Sequence, residues 1–183
     1  MTTYDKQKLT ETVVYILNKT GAIGYYHVFK ILYFANAKLL AKYGKNLVAD
    51  KFFALPDGPV PSLLFDALKG DRYHCDYELT QMLDNAVEHG VEDAFYIISP
   101  TREPNLDFLS KADMQVLDNS INENASLTFA QLREKSHGNE WRRAFAISGA
   151  KIMEDAGIAL DEGATEDMAE YIREMQNIQQ ALL

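Results

Sequence analysis

The amino-acid sequence predicts a mainly α-helical protein with a small β-sheet, an α+β fold with about two short strands. Three observations favour this class. Apolar residues recur at helical spacing along most of the chain, only two segments have strand-like composition, and glycine or proline bounds most segments. The 183 residues suffice for one domain with a hydrophobic core, or for such a domain with a helical appendage.

Two helices are predicted at the beginning of the chain. Leucine, valine and isoleucine at helical spacing predict the first over residues 5–19, with Gly21 ending it. The second and longer helix is predicted over residues 25–43. Gly44 is expected to end it, because glycine is the common residue at a helix C-cap.

The middle of the chain contains both predicted strands. The segment LVADKFFALP, residues 47–56, is predicted as a strand that ends at a Pro-Asp-Gly turn. The GPVP sequence that follows is interpreted as a stiff corner before a helix over residues 62–70. Residues 72–87 are predicted to be helical, and AFYIIS, residues 94–99, is predicted as the second strand.

The second half of the chain is predicted to be helical. Ser110 is the expected N-cap of a helix that continues to about Asn122. Thr128 is expected to begin another helix and Trp141 a third. Thr165 is the expected N-cap of a last helix that runs to the end of the chain.

The net charge of −9 is unevenly distributed. Residues 1–50 carry a net charge of +4, whereas residues 154–174 hold eight acids and one base, Arg173. Contacts with phosphate require clustered lysine and arginine, so an acidic chain argues against a nucleic-acid partner. The acidic segment has two interpretations: a solvated helix that maintains solubility, or a surface for a basic protein.

The composition also bears on compartment and cofactors. No apolar run approaches the roughly 20 residues that a membrane span requires, and the N-terminus lacks a secretory signal, so we expect a cytoplasmic protein without a membrane partner. The single cysteine, Cys75, excludes an internal disulfide. Because His27, His74, His89 and His137 show no two-ligand spacing, neither a metal nor a cofactor is predicted.

The second helix has an apolar stripe and an unusual opposite side. The stripe expected to face the core comprises Val28, Ile31, Leu32, Ala35 and Leu39. The other side carries His27, Lys30, Phe34 and Lys38, flanked by Tyr26 and Tyr33. A lysine among aromatic rings either has a lowered pKa and transfers protons, or stacks its stem on a ring.

Catalytic motifs are scarce. The sequence contains no GxSxG elbow, no phosphate-binding loop and no GxGxxG after a strand. The segment SHGNEW, residues 136–141, brings Ser136, His137 and Glu140 close together along the chain, but a turn between two helices explains it equally well. Nothing in these residues requires an enzyme.

Four segments occur in an order and spacing that is informative when they are taken together. They are FKILYFANAKLLAKYGKNL (29–47), KFFALPDGPVPSLLFDAL (51–68), LSKADMQVLD (109–118) and LREKSHGNEWRRA (132–144). Together they resemble the Panacea domain, also called the SocA-like antitoxin domain, of bacterial and phage toxin–antitoxin systems. The resemblance implies a mainly helical domain, which we assign to residues 1–150. Residues 151–183 form an acidic helical extension, which we expect to pack on the same domain.

The resemblance implies an antitoxin that neutralises a co-encoded toxin protein by direct binding, and not an enzyme. Two alternatives stay open: an adaptor that delivers the toxin to a cellular protease, and a small enzyme that uses Lys30 and His137 in acid–base chemistry. No helix-turn-helix with a basic recognition helix is evident, which argues against DNA binding by this chain alone. A homo-oligomer also stays open.

The predicted partner-binding residues belong to the second helix, the GPVP corner and the segment that contains the only tryptophan. They are His27, Lys30, Tyr33, Phe34, Lys38, Pro56, Gly58, Pro59, Val60, Pro61, His137 and Trp141. The corner serves as a structural turn or as a rigid interface, which would lose little entropy on binding. Trp141 is interpreted either as a core residue or as a binding hot spot.

Overall fold

A computed structural model describes residues 1–69, 75–92, 95–147 and 151–181. The predicted class is confirmed, because the described residues form nine α-helices, one short 3-10 helix and two small antiparallel sheets. The helices are α1 Thr3–Thr20, α2 Tyr25–Tyr43, α3 Ser62–Lys69, α4 Tyr77–Asp84, α5 Lys111–Asn124, α6 Phe129–Ser136, α7 Asn139–Ala146, α8 Asp155–Asp161 and α9 Glu166–Ala181. The strands are β1 Ile23–Gly24, β2 Phe52–Leu55, β3 Gly58–Pro61, β4 Val87–Glu92 and β5 Phe95–Pro100.

Helix α2 is the centre of the fold. Its predicted apolar stripe is confirmed as core, and the helix packs against α5 and α8. The opposite side is also covered, because β3 and α6 pack over it, so Lys30 and Phe34 are buried as well. Gly44 is the C-cap as predicted, with a φ of 64° in the left-handed region. A side chain at Gly44 would also overlap the Tyr171 ring of α9.

The interpretation of GPVP as a corner is wrong, because these four residues form strand β3 in a hairpin with β2. The amide of Ser62 donates to the carbonyl of Lys51, and this bond fixes the hydrogen-bonded register of the hairpin. Residues in that register alternate, so Pro59 and Pro61 fall at positions where no N–H to β2 is needed. Two prolines therefore fit a strand here.

The prediction of a helix over residues 72–87 is only partly right. Helix α4 covers residues 77–84, and residues 70–74 lie outside the described part. Strand β4 was not predicted. It pairs with β5 along its whole length in a sheet of order β1-β5-β4, and β5 corresponds to the predicted AFYIIS strand. The sequence of β4, VEHGVE, is polar and contains glycine, and the side chains of Glu88, His89 and Val91 are exposed.

The caps predicted in the second half are confirmed. Ser110 and Thr128 accept hydrogen bonds at the beginnings of α5 and α6, and Thr165 accepts one from Met168 at the beginning of α9. Helix α7 begins at Asn139, two residues before the predicted Trp141.

The C-terminal segment contacts the rest of the protein. Residues 151–153 pair with the free edge of β2, since the Ala54 amide donates to the Lys151 carbonyl and the Met153 amide to the Phe52 carbonyl. Helix α8, which was not predicted, packs on α2 and α7. The proposed division of the chain at residue 150 lies outside the described residues. Within the described part, no helix combines the length and apolar character needed to cross a membrane.

Candidate functional site

The turn of the β2–β3 hairpin is held by three side chains from two helices. The Trp141 indole donates to the Leu55 carbonyl at 3.0 Å, and the Tyr26 hydroxyl donates to the Asp57 carbonyl at 2.8 Å. The Lys30 ammonium donates to the Pro59 carbonyl at 2.7 Å. These bonds fix the backbone of the turn, while the side chains of Pro56 and Asp57 stay exposed.

Two carboxylates add to the support of the hairpin. At its base, the buried Asp50 accepts the amides of Leu63 at 3.1 Å and Leu64 at 2.9 Å, and so caps α3. Burial raises the pKa of Asp50 despite these bonds. At the turn, Asp57 forms an ion pair with Arg133 of α6 at 3.2 Å. The hairpin is thus a rigid element connected to α2, α3, α6 and α7.

Lys30 is completely enclosed. Its side chain has no solvent exposure, and its ammonium lies 4.8 Å from the centre of the Tyr26 ring. Burial lowers the pKa of Lys30 to about 7. Gly58 has a φ of 101°, and a side chain there would overlap the Lys30 ammonium and the Ser136 hydroxyl. The closeness of these groups therefore depends on a glycine at position 58.

His137 lies in an aromatic stack beside Gly58, where a side chain would come within 3.4 Å of the His137 Cδ2 atom. Its ring is parallel to the Trp141 indole, with centroids 3.6 Å apart, and Trp141 stacks in turn on Phe145 at 4.7 Å. Burial, together with the charges of Arg133 and Lys30, lowers the pKa of His137. Its Nε2 atom is buried and has no hydrogen-bond partner among the described residues.

Two polar residues of SHGNEW, Ser136 and Glu140, bond to other groups in the described part of the chain. The Ser136 hydroxyl donates to the Arg133 carbonyl at 3.1 Å. The Glu140 carboxylate forms two hydrogen bonds with Arg143, at 2.8 and 2.6 Å, and accepts the Glu154 amide. Ser136 and Glu140 therefore have structural partners, and the geometry is not that of a catalytic triad.

A large apolar cavity opens beside the hairpin turn, with a volume of about 680 Å³. We call it the aromatic cleft. Its apolar lining comprises Tyr25, Tyr26, Phe29, Leu55, Pro56, Val60, Phe65, Tyr96, Ile97 and Phe129, and its polar lining comprises Gly24, His27, Asp57 and Lys69. Tyr96 is 64% exposed and stacks on Tyr25, and Phe129 is 43% exposed and packs on Tyr26. Large aromatic side chains at this exposure are typical of binding surfaces.

A second cavity of about 680 Å³ lies on the other side of Asp57 and Phe129, which line both cavities. We call it the Trp141 cavity. Its remaining lining comprises Ala130, Arg133, Glu134, His137, Trp141 and Arg142. The two cavities together form one surface around the hairpin turn.

The structure distributes the predicted partner-binding residues over three environments. Pro56, His27, His137 and Trp141 line the two cavities with exposed or half-buried side chains. Lys38 lies elsewhere, in ion pairs with Glu123 and Glu162. The buried members are Lys30, Tyr33, Phe34, Gly58, Pro59, Val60 and Pro61, of which Val60 contributes to the cleft wall. Most of these seven residues therefore lie beneath the surface around the hairpin turn and support it.

Five aromatic rings of the cleft were not among the residues singled out in the sequence: Tyr25, Phe29, Phe65, Tyr96 and Phe129. Helical periodicity gave no signal for Phe129, because it precedes the buried Leu132 and Ser136 by three and seven residues and so shares their face of α6. No group of His, Cys, Asp and Glu in the described residues is arranged to hold a metal ion, and His74 lies outside that part.

Comparison with known proteins gives one family. A family model described as "Antitoxin SocA-like, Panacea domain" matches residues 28–142, which include most of α2, the hairpin and most of the lining of both cavities. No curated protein and no solved structure matches the chain. The matched region is well over half of the 183 residues, and it contains three of the four segments that resembled this family in the sequence and all but the last two residues of the fourth. The chain belongs to the SocA-like antitoxin family that is defined by the Panacea domain.

Proposed function

We propose that this protein is an antitoxin that neutralises a co-encoded toxin protein by stoichiometric binding through the aromatic cleft. The observation that carries the proposal is the cluster of exposed aromatic side chains around a rigid hairpin, within the region matched by the antitoxin family. Cavities of this volume and apolar lining are typical binding sites. Aromatic anchors at the centre of an interface supply most of its binding energy.

The rigidity of the hairpin supports a binding role. Three side chains hold the carbonyls of its turn, so a partner covering Pro56 and Asp57 would order few additional groups. A preorganised surface loses less conformational entropy on association, which leaves more of the contact energy as affinity. The hairpin is therefore both a structural element and a suitable part of an interface.

The surroundings of Lys30 support binding over catalysis. An acid–base residue must reach the proton that it transfers, whereas the Lys30 ammonium is enclosed and bonded to a backbone carbonyl. The proposal accordingly requires no chemistry on a substrate, no metal and no cofactor. It assumes that the toxin is bound in the cytoplasm and that this chain does not contact DNA. It is compatible with a monomer or a homo-oligomer.

The test combines capture with neutralisation. The tagged protein is purified from its native host, its co-purifying partner is identified, and the toxicity of that partner is measured with and without this chain. We expect a toxic protein at near-equal amounts that becomes harmless on co-expression. If the neutralised toxin stays abundant, neutralisation by binding is supported. If its amount falls, the result favours an adaptor that delivers the toxin to a protease.

A matched pair of tyrosines locates the surface. Tyr96 lies at the rim of the cleft, and Tyr77 is similarly exposed on α4, away from both cavities. We expect Tyr96→Ala to lose neutralisation and Tyr77→Ala to retain it, with both variants folded. Failure to recover any toxic partner at micromolar concentrations of the tagged protein would overturn the antitoxin proposal. Full neutralisation by Tyr96→Ala would overturn the assignment to the cleft.

A further inference from the structure

The charge around the two cavities differs from that of the rest of the protein. Three bases, Lys69, Arg133 and Arg142, and two acids, Asp57 and Glu134, line the cavities. The whole chain instead holds 18 bases and 27 acids. The surface around the hairpin turn is thus a locally basic region on an acidic protein.

The charge of Arg142 is little compensated in this region. Its guanidinium makes one long hydrogen bond, 3.5 Å, to the Asn139 side chain. No ion pair in the described part of the chain involves Arg142, whereas the neighbouring Arg143 pairs with Glu140 and Glu154. Asp161 and Glu162 share a smaller cavity with Arg142, but Asp161 accepts the amides at the beginning of α7 and Glu162 pairs with Lys38.

Arg133 is only partly used. It contacts Asp57 through Nε, at 3.2 Å, and its side chain is 49% exposed. A guanidinium carries five N–H donors in a planar fork that suits a carboxylate, so donors remain on both arginines. Both lie beside Phe129, Trp141 and the hairpin turn, where apolar side chains are also exposed.

We propose that the surface takes a linear segment of a partner protein in which an apolar anchor is followed or preceded at short distance by an Asp or Glu. The anchor enters the aromatic cleft, and the carboxylate reaches Arg142 and Arg133 across Phe129. The inference rests on the proposed function, because it names the chemistry of the toxin segment bound there. Charge complementarity of this kind fixes the register of a segment in its groove.

The test uses random 12-residue peptides displayed on phage and selected on the full chain. Peptides selected on the wild type are expected to combine an aromatic or aliphatic anchor with a nearby Asp or Glu. Synthetic peptides are then measured by fluorescence anisotropy. The charge reversal Arg142→Glu is expected to weaken them by about tenfold or more, and Tyr96→Ala should abolish their binding. A separate selection on Arg142→Glu is expected to return Lys or Arg at the acidic position.

Arg173→Glu is the matched control. Arg173 is an exposed arginine on α9, remote from both cavities, and the same charge change there should leave peptide affinity unchanged. Melting curves of all variants are recorded as a control for folding. Any one of four results would overturn the inference: no selected peptides, no enrichment of acids, equal affinity for Arg142→Glu, or retained binding to Tyr96→Ala.

The peptide result is independent of the toxin. If acidic apolar peptides bind as expected while no toxic partner is ever recovered, the antitoxin proposal fails and the binding chemistry stands. If a toxin is neutralised while the peptides show no preference for acids, the antitoxin proposal stands and this inference fails.

Discussion

The region around the hairpin turn and the C-terminal segment distribute polar and apolar groups in opposite ways. Lys30 near the turn and Asp50 at the base of the hairpin are buried, while Tyr96 and Phe129 beside the turn are exposed. In the C-terminal segment, α9 buries Ala169 and Ile172 and exposes its acids, although Tyr171, Met175 and Ile178 are also exposed. Buried polar groups that hydrogen-bond to the backbone of the hairpin hold the hairpin in place. Exposed acids instead act on a partner through their electrostatic field.

The acidic composition of the C-terminal segment therefore has two origins. In α8, Asp155 bonds to Asn46 and Gln176, and Asp161 binds the beginning of α7. These carboxylates are structural, and burial raises the pKa of Asp155. The four acids Glu166, Asp167, Glu170 and Glu174 of α9 are exposed. Among the described acids of this segment, only these four have exposed carboxylates without a structural partner in the described residues, so they can attract a basic partner.

The largest expected effect is on folding, and it compares two glycines with positive φ. Gly58→Ala should destabilise the protein by about 3–5 kcal/mol, because backbone strain adds to overlap with the Lys30 ammonium and the Ser136 hydroxyl. Gly163 in the C-terminal segment has a φ of 90° and open space around it, so Gly163→Ala should cost about 1–2 kcal/mol. Urea unfolding measures both. Equal costs would mean that the hairpin is not tightly supported.

The next effect is a dependence of stability on pH that originates at Lys30. Below about pH 7, the lysine is protonated in both the folded and the unfolded chain. Between about pH 7 and 10.5 the unfolded chain keeps this proton and the folded chain loses it, so the free energy of unfolding rises with pH. The slope approaches about 1.4 kcal/mol per pH unit.

Lys30→Met removes this group and isolates its contribution. The free energy of unfolding of the wild type minus that of the variant should be constant below about pH 7 and rise above it. Denaturant melts of both proteins from pH 6 to 9 measure the difference. A constant difference across that range would show that the buried lysine keeps an ordinary pKa.

A smaller effect concerns binding and compares two rings of equal exposure. Phe129 in the aromatic cleft and Tyr171 on α9 are each 43% exposed. Phe129→Ala should weaken toxin binding by about 2 kcal/mol or more, whereas Tyr171→Ala should leave the affinity nearly unchanged. Titration calorimetry with the recovered toxin measures both, and melting curves identify any loss of folding. The reverse order of effects would move the interface to α9.

The smallest effect is kinetic. Replacing the four exposed acids of α9 by their amides should slow association with a basic toxin severalfold at low salt, without changing the dissociation rate. The difference should disappear near 0.5 M salt, where charges are screened within a few ångströms. Stopped-flow mixing at two salt concentrations makes the measurement. Association rates that match the wild type at low salt would leave these acids with a role in solubility alone.

The sequence predicted the helices better than it predicted the site. The stripe of α2 was visible because a 3.6-residue period depends on the helix alone. The burial of Lys30 was not visible, because the carbonyl of Pro59 and the ring of Tyr26 stabilise its ammonium through tertiary contacts. Strand β3 was missed because its two prolines are acceptable only in the register that the hairpin adopts.

The aromatic cleft was the least predictable feature. Its rings come from α2, α3, β5 and α6, and nothing in any one of these segments indicates that they meet. Trp141 attracted attention as the only tryptophan, and it does line a cavity, although its indole N–H is bonded to the hairpin. Residues that form a site together are hard to predict when each has an adequate structural explanation alone.

Hydroxyl-radical footprinting of the free protein and of its complex with the recovered toxin would locate the toxin-binding surface. It reads the exposure of individual aromatic side chains in solution. We expect Tyr96 and Phe129 to become protected in the complex, whereas Tyr77 and Tyr171 should keep the oxidation rates of the free protein. Protection of Tyr171 without protection of Tyr96 and Phe129 would contradict this expectation, because the toxin would then bind the C-terminal helix and leave the aromatic cleft open.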